Sequence, residues 1–259
     1  MRAAWLAAGA LATAIALLLS TAGLWRGFAR ASMPEEHTQR SIAFEHKNVR
    51  IKAGKGTQVD LTIRPGRAGE LLIWRALRWS RDRPTITEDW DVRSDTLRLD
   101  AVCPGEEQPD GPLCWADYVI YVPPETDVEA GTGKGRLNVN DLFGKVRLSS
   151  VAGDVQVNNL SGTLWARSGT GNVNAGDLDV EAADVEIGSG DVDLSFVSAP
   201  TTVNAVVRTA GNVTLDLPKT IYHVTAEGAN TNVDVDQDPA SPRKVVVRAP
   251  KGTVSLCCD

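Results

Sequence analysis

Three groups of residues have the types and spacing that chemistry requires. The first is Trp74, Arg75, Arg78 and Trp79, inside the stretch LLIWRALRWSRDR at residues 71–83. Aromatic rings interleaved with guanidinium groups hold anionic polymers or lipid headgroups by stacking and charge. The competing reading is packing: two tryptophans in the core of strands, with the arginines facing water. The second group is GTGKG at residues 131–135, which looks like a phosphate cradle. That cradle needs G-x-x-x-x-G-K-[ST] between a strand and a helix. Here Lys134 is followed by Gly135, and Val128 stands where the first glycine belongs. The following RLNVNDLFGKVRL alternates apolar and polar residues as a strand does, so no helix dipole awaits a phosphate. Nucleotide binding is excluded. The third group is the aspartates. Asp234, Asp236 and Asp238 imitate the start of an EF-hand loop, but Pro239 takes the glycine position and Val245 the final Glu position. In GSGDVDL, Val192 occupies the ligand position of the calcium-binding nonapeptide. Alternating Asp is therefore expected on the wet face of strands, and no metal or cofactor is expected.

Catalytic constellations are missing as well. His37, His46 and His223 lie far apart, and no G-x-S-x-G nucleophile motif occurs. The reading is a protein without enzymatic activity. Asn159-Leu-Ser161 and Asn212-Val-Thr214 match glycosylation sequons, but in this context they read as turn residues.

The four cysteines divide into two pairs. Cys103 and Cys114 bracket the Pro/Gly-rich loop CPGEEQPDGPLC, where a disulfide would staple an otherwise open excursion. Two free thiols remain the alternative, since four cysteines allow three pairings. Cys257 and Cys258 are adjacent, and Cα atoms about 3.8 Å apart lie below the usual disulfide range, so no bond is expected between them. A disulfide implies an oxidising compartment outside the cytoplasm.

Position is set by the N-terminus. Residues 3–25, AAWLAAGALATAIALLLSTAGLW, carry no charge. As a helix they span about 34 Å, enough for a hydrocarbon core of about 30 Å. Trp5 and Trp25 stand near the ends, where interfacial rings are favoured. Ala29-Arg30-Ala31 has the form of a signal-peptidase site, yet the apolar run exceeds the length of a secretory signal. The expectation is an uncleaved single-pass anchor with the bulk of the chain outside the cell. Arg2 and the amino group balance Arg26 and Arg30, so flanking charge alone leaves the orientation undecided.

The rest of the chain must position these groups with strands. Aromatic residues make up only 5% of the 259, while glycine is plentiful at 23. Residues 40–98 carry 13 Lys and Arg against 8 Asp and Glu, whereas residues 99–259 carry 11 against 23. An acidic C-terminal half argues against nucleic acid as a partner. Within it, GRLNV at Gly135, GDVQV at Gly153, GNVNA at Gly171, GDVDL at Gly190, GNVTL at Gly211, TNVDV at Thr231 and GTVSL at Gly252 recur at spacings of 18, 18, 19, 21, 20 and 21. Such a period is that of a solenoid in which each repeat is one coil. Leu137/Val139, Val155/Val157, Val192/Leu194, Val213/Leu215 and Val233/Val235 are expected to point inward. Asp154, Gln156, Asp191, Asp193, Asp234 and Asp236 are expected outward. GTGKG then becomes the first corner of a β-solenoid, its glycines serving the turn rather than a phosphate.

These expectations divide the chain into a membrane anchor at 1–31, a β-strand module with the disulfide loop at 32–128, and an all-β solenoid of coils of about 20 residues at 129–259. YVPPETDVEAGTGKGRLNV, followed by GDVQV, GNVNA, GSGDVDL and GNVTL, resembles a family of bacterial envelope proteins. Its β-strand repeat is written T-G-S-G-D-V, and its members are described as candidate adhesins. RWSRDRPTITEDWDVRSDTLRL and the Cys103–Cys114 loop resemble the N-terminal part of actinobacterial members. The resemblance covers roughly residues 40–256 and implies a membrane-anchored, extracytoplasmic β-repeat scaffold. It departs at SVAGDV, EGANTNV and APKGTV, and the chain has no lipobox cysteine near its N-terminus. The partners expected are the membrane, an anionic cell-wall polymer or another envelope protein. Two alternatives stand beside this reading: a polysaccharide-acting β-helix enzyme and a regulatory partner of an envelope system. If binding occurs, it is expected at Trp74, Arg75, Arg78 and Trp79.

Overall fold

A computed structural model of the chain describes residues 13–21, 23–24, 33–105, 111 and 113–258. Most of the apolar segment 3–25 lies outside them. Residues 13–21 are helical, and among the described residues no helix is long and apolar enough to cross a membrane.

The rest is β. The strands are β1 (Glu35–Ala43), β2 (Asn48–Pro65), β3 (Glu70–Trp79), β4 (Thr85–Asp91), β5 (Thr96–Val102), β6 (Cys114–Val122), β7 (Asp127–Lys134) and β8 (Leu137–Leu142). They continue with β9 (Lys145–Ala152), β10 (Val155–Thr170), β11 (Val173–Ser189), β12 (Val192–Phe196), β13 (Thr202–Ala210), β14 (Val213–Leu217), β15 (His223–Val233) and β16 (Lys244–Cys258). Each coil crosses two parallel ladders. The first ladder runs β5, the start of β2, β7, β9, then the second halves of β10 and β11, β13, and the starts of β16 and β15. The second runs β6, the end of β2, β8, the first halves of β10 and β11, β12, β14, and the ends of β16 and β15.

Period-two alternation explains the lining. Leu137, Val139, Val146 and Leu148 are fully buried in one coil, as are Val155, Val157, Leu164 and Ala166 in the next. Each buried aliphatic side chain contributes about 1.5–3 kcal/mol, while ordering costs about 1–2 kcal/mol per residue. A single coil is therefore unstable, and the ladders between coils supply the remainder.

The glycines form a column. Gly153, Gly171, Gly190 and Gly211 each sit on the carbonyl of the preceding column glycine, so a Cβ at any of them would overlap backbone oxygen. Gly171 and Gly190 also have φ of 117° and 124°, a region that side chains disfavour. Beside this column runs a hydrogen-bonded ladder. Asp154 Oδ1 accepts the Asn172 N–H at 2.9 Å, Asn172 Oδ1 that of Asp191 at 2.9 Å, and Asp191 Oδ1 that of Asn212 at 2.8 Å. At the opposite corner Asp141, Asn159 and Asp177 take φ near 55°, and Asn159 Nδ2 donates to Asp141 Oδ1 at 2.7 Å. Both sequon asparagines thus hold turns, as expected.

Two features depart from a simple stack of consecutive coils. The stack begins before residue 129, because β2, β5 and β6 extend both ladders as further rungs. At the far end, β16 pairs with β13 and β14 on one side and with β15 on the other. Asn212 Oδ1 accordingly accepts the Thr253 N–H at 2.9 Å, so Gly252 rather than Thr231 follows Gly211. The coil with Val233 and Val235 becomes the outermost rung, and these two valines are only partly buried. Among the described strands none pairs with the far edge of β15.

At the other end the ladders finish in antiparallel strands: β4 on β5, and β3 then β1 on β6. The Cys103–Cys114 disulfide forms, with Cα atoms 6.3 Å apart, and closes the corner between β5 and β6.

Candidate functional site

Strand parity splits the tryptophan–arginine strip. On β3, Leu71, Ile73, Arg75 and Leu77 are buried toward the core, and Trp79 packs against it. Arg75, only 7% exposed, is drawn there by charge. Its Nη1 donates to Glu88 of β4 and its Nη2 to Glu36 of β1 at 3.1 Å. Glu36 also receives two hydrogen bonds from Arg83, both 2.8 Å. These bonds, with the charges of Arg83 and Arg75, outweigh desolvation and hold the Glu36 carboxyl below its ordinary range. Tyr118, the cross-strand partner of Arg75, is buried beside this cluster, and burial raises its phenol. Arg75 is therefore an internal clamp between the two ladders.

Trp74 and Arg78 face outward. Trp74 stacks on His37 with centroids 5.5 Å apart. Arg78 pairs with Asp117 at 3.2 Å and lies 6.0 Å above Trp115. Of the four strip residues, these two form surface, joined by Trp115 of β6.

A second aromatic–cationic group lies on the outer surface of the first ladder. One cross-strand column there reads Arg50, Glu129, Arg147, Trp165, Asp184, Asn204. The guanidiniums of Arg147 and Arg167 lie 4.7 and 4.6 Å from the Trp165 ring centroid. Arg167 is neutralised by Asp184 at 2.7 Å and Glu186 at 3.2 Å, and Glu186 also binds Arg208. Arg147 and Trp165 are 18 residues apart, one coil exactly in register, and Asp184 follows 19 later. Writing the coils beneath one another and reading the outward columns would have exposed this group, which a linear reading disperses.

The carboxylates on these surfaces differ in state. Burial alone would raise Asp184, but hydrogen bonds from Arg167 and Asn204 and the charge of Arg167 outweigh it, so its carboxyl lies below the usual range. Asp193, on the outer surface of the second ladder, is raised by desolvation and then by the charge of Asp216. Among the described residues no group of three or more His, Cys, Asp or Glu is placed to hold a metal ion.

Two parallel ladders per coil, a glycine column and an Asx-lined corner define a β-solenoid built from short, imperfect repeats. The chain belongs to the Toastrack DUF4097 family, whose profile matches residues 125–256. It is similar to a crystal structure of a candidate adhesin from Bacteroides fragilis, 15% identical over 86% of this chain and 97% of that one, with a TM-score of 0.46. It is also similar to a candidate cell adhesion protein from Clostridium sporogenes, 14% identical over 86% of this chain and 100% of that one, TM-score 0.41. A candidate adhesin from Parabacteroides distasonis is 13% identical over 86% and 97%, TM-score 0.39. No curated protein matches the chain.

Proposed function

We propose that the chain is a membrane-anchored, extracytoplasmic binding scaffold of adhesin-like type, without enzymatic activity, that presents ligand-binding residues on the outer surfaces of a rigid stack. The observation that carries this reading is the division of labour within each coil. Inward positions and corners are committed to packing and hydrogen bonding within the stack, while outward positions such as Arg147 and Trp165 make their contacts with other outward side chains. The Cys103–Cys114 bridge supports a location in an oxidising compartment. Residues 3–25 supply the anchor.

The test is protease added to intact cells expressing the full-length chain. Digestion of the solenoid without lysis is expected. Complete protection until lysis would reverse the topology and remove the scaffold reading.

A polysaccharide-acting enzyme is the second reading, and one observation bears on it. Arg167, Asp184, Glu186 and Arg208 do gather on adjacent coils. A general base works best with a pKa near the operating pH, and Asp184 is shifted the opposite way. The group behaves as an ion-pair network, which favours the scaffold.

A further inference from the structure

The outer surface of the first ladder carries a groove of about 440 Å³ whose lining includes Arg50, Asp95, Glu129, Lys145, Arg147 and Trp165. Its charges are unevenly satisfied. Among the described residues, neither Lys145 nor Arg147 has a carboxylate within ion-pair reach, and both side chains are exposed. Arg50 gives Nη2 to Glu129 at 3.1 Å, but its Nε is buried with no hydrogen-bond partner. Asp95 Oδ1 is likewise buried without a hydrogen bond, with His46 Nδ1 3.4 Å away. A buried donor and a buried acceptor without partners are unfavourable unless a ligand or water completes them. The volume falls in the range of ligand sites.

The groove takes residues from β2, β7, β9 and β10, four successive rungs about 4.8 Å apart. It therefore suits a ligand extended along the stack. Unpaired cations favour carboxylate or phosphate groups. Glu129 and Asp95 would repel a bare polyanion, yet they accept hydrogen bonds from hydroxyl groups. The Arg147 and Arg167 guanidiniums already lie over the Trp165 ring, so its remaining apolar edge is what C–H groups can meet.

We propose that this groove binds an anionic glycan, with sugar rings packed against the edge of Trp165, their carboxylate or phosphate groups on Lys145, Arg147 and Arg50 Nε, and their hydroxyls on Glu129 and Asp95. The inference rests on the scaffold reading and names its ligand class. It places that affinity on the first ladder, on a different element from the Trp74/Arg78 surface.

The test is binding of the full-length chain to immobilised polygalacturonate and phosphomannan, with dextran as uncharged sugar and polyglutamate as sugar-free polyanion. The first two probes separate a carboxylate preference from a phosphate preference. Wild type is expected to hold at least one of them above dextran and polyglutamate, and less tightly as salt rises. Trp165→Ala and Lys145→Ala/Arg147→Ala should each weaken binding about tenfold, the scale of a lost cation–π or charged contact, with unchanged thermal unfolding. Trp74→Ala/Arg78→Ala should leave it intact. Equal retention by all variants, equal retention on polyglutamate, or no retention of either glycan overturns the groove. Loss only in Trp74→Ala/Arg78→Ala overturns the groove while leaving the scaffold reading standing.

Discussion

The two ends of the stack solve one problem with different chemistry. A parallel ladder has no internal stop, since every last rung offers unpaired N–H and C=O groups to another chain. The N-terminal end turns antiparallel: β4 closes one ladder, and β3 with β1 closes the other. Between those flaps Phe44 and Trp90 meet edge to face at 6.1 Å, and Arg75 joins Glu36 to Glu88. The C-terminal end is left as β15, whose outward residues Glu227, Asn230 and Asn232 are exposed. A register shift between Gly228 and Asn230 interrupts its edge, and Tyr222 bridges to Gln237 in the loop that follows. Capping by strands allows a deep core that tolerates an ion pair. Capping by polarity gives up burial at the last rung instead. Stability should therefore fall off along the stack.

The largest effect expected is in the middle. Val192 is 1% exposed, so Val192→Asp buries an unpartnered carboxylate and should cost about 4 kcal/mol or more. Val233→Asp makes the same change at the open rung and should cost under about 1 kcal/mol. Urea midpoints of the two variants measure the difference, and similar values would remove the gradient. Next comes Gly190→Ala, at φ 124° against the Gly171 carbonyl. Backbone strain of about 1–3 kcal/mol adds to the overlap of the new Cβ with the Gly171 oxygen, and both are read as a lowered Tm without loss of β signal in circular dichroism.

At the capped end, Arg75→Ala leaves Glu88 and Glu36 without their shared cation and should cost about 3 kcal/mol. Because Glu36 is held low, the stability it contributes is present above the ordinary carboxylate range. It is lost as the pH falls through the lowered value. Arg83→Ala should flatten that acid limb in a pH series of unfolding midpoints.

The smallest effect is at Asp193. Its raised carboxyl makes the charged form slightly unfavourable in the folded state. Asp193→Ala should therefore stabilise by less than about 0.5 kcal/mol at neutral pH. The gain should vanish below the carboxylate range, where wild-type Asp193 is protonated. A destabilised Asp193→Ala would show that the outer surface is coupled to the core.

Local patterns revealed what depends on neighbours in sequence. The alternation of Leu137/Val139 and Val192/Leu194 showed which side chains face inward, and the spacing of Gly153, Gly171 and Gly190 showed the column. The Cys103–Cys114 bracket showed the staple. Order along the stack was not legible, because nothing in TNVDV or GTVSL states which one touches Gly211. Arg75 misled because its alternation with Trp74 puts it on the inward parity, where a guanidinium is unexpected without knowledge of Glu36 and Glu88, 39 and 13 residues away. Arg147 and Trp165 escaped notice for a similar reason: their neighbourhood exists only once coils are stacked.

The placement of β16 carries a consequence for folding. Because β16 lies inside the stack, with β13 and β14 on one flank and β15 on the other, it follows β15 in sequence yet fills an interior slot. Among the described strands β15 pairs with β16 alone, so a chain from which Lys244–Cys258 is removed lacks an interior slat rather than an outer one. Insertion of β16 is thereby the step that locks β15 onto the far end.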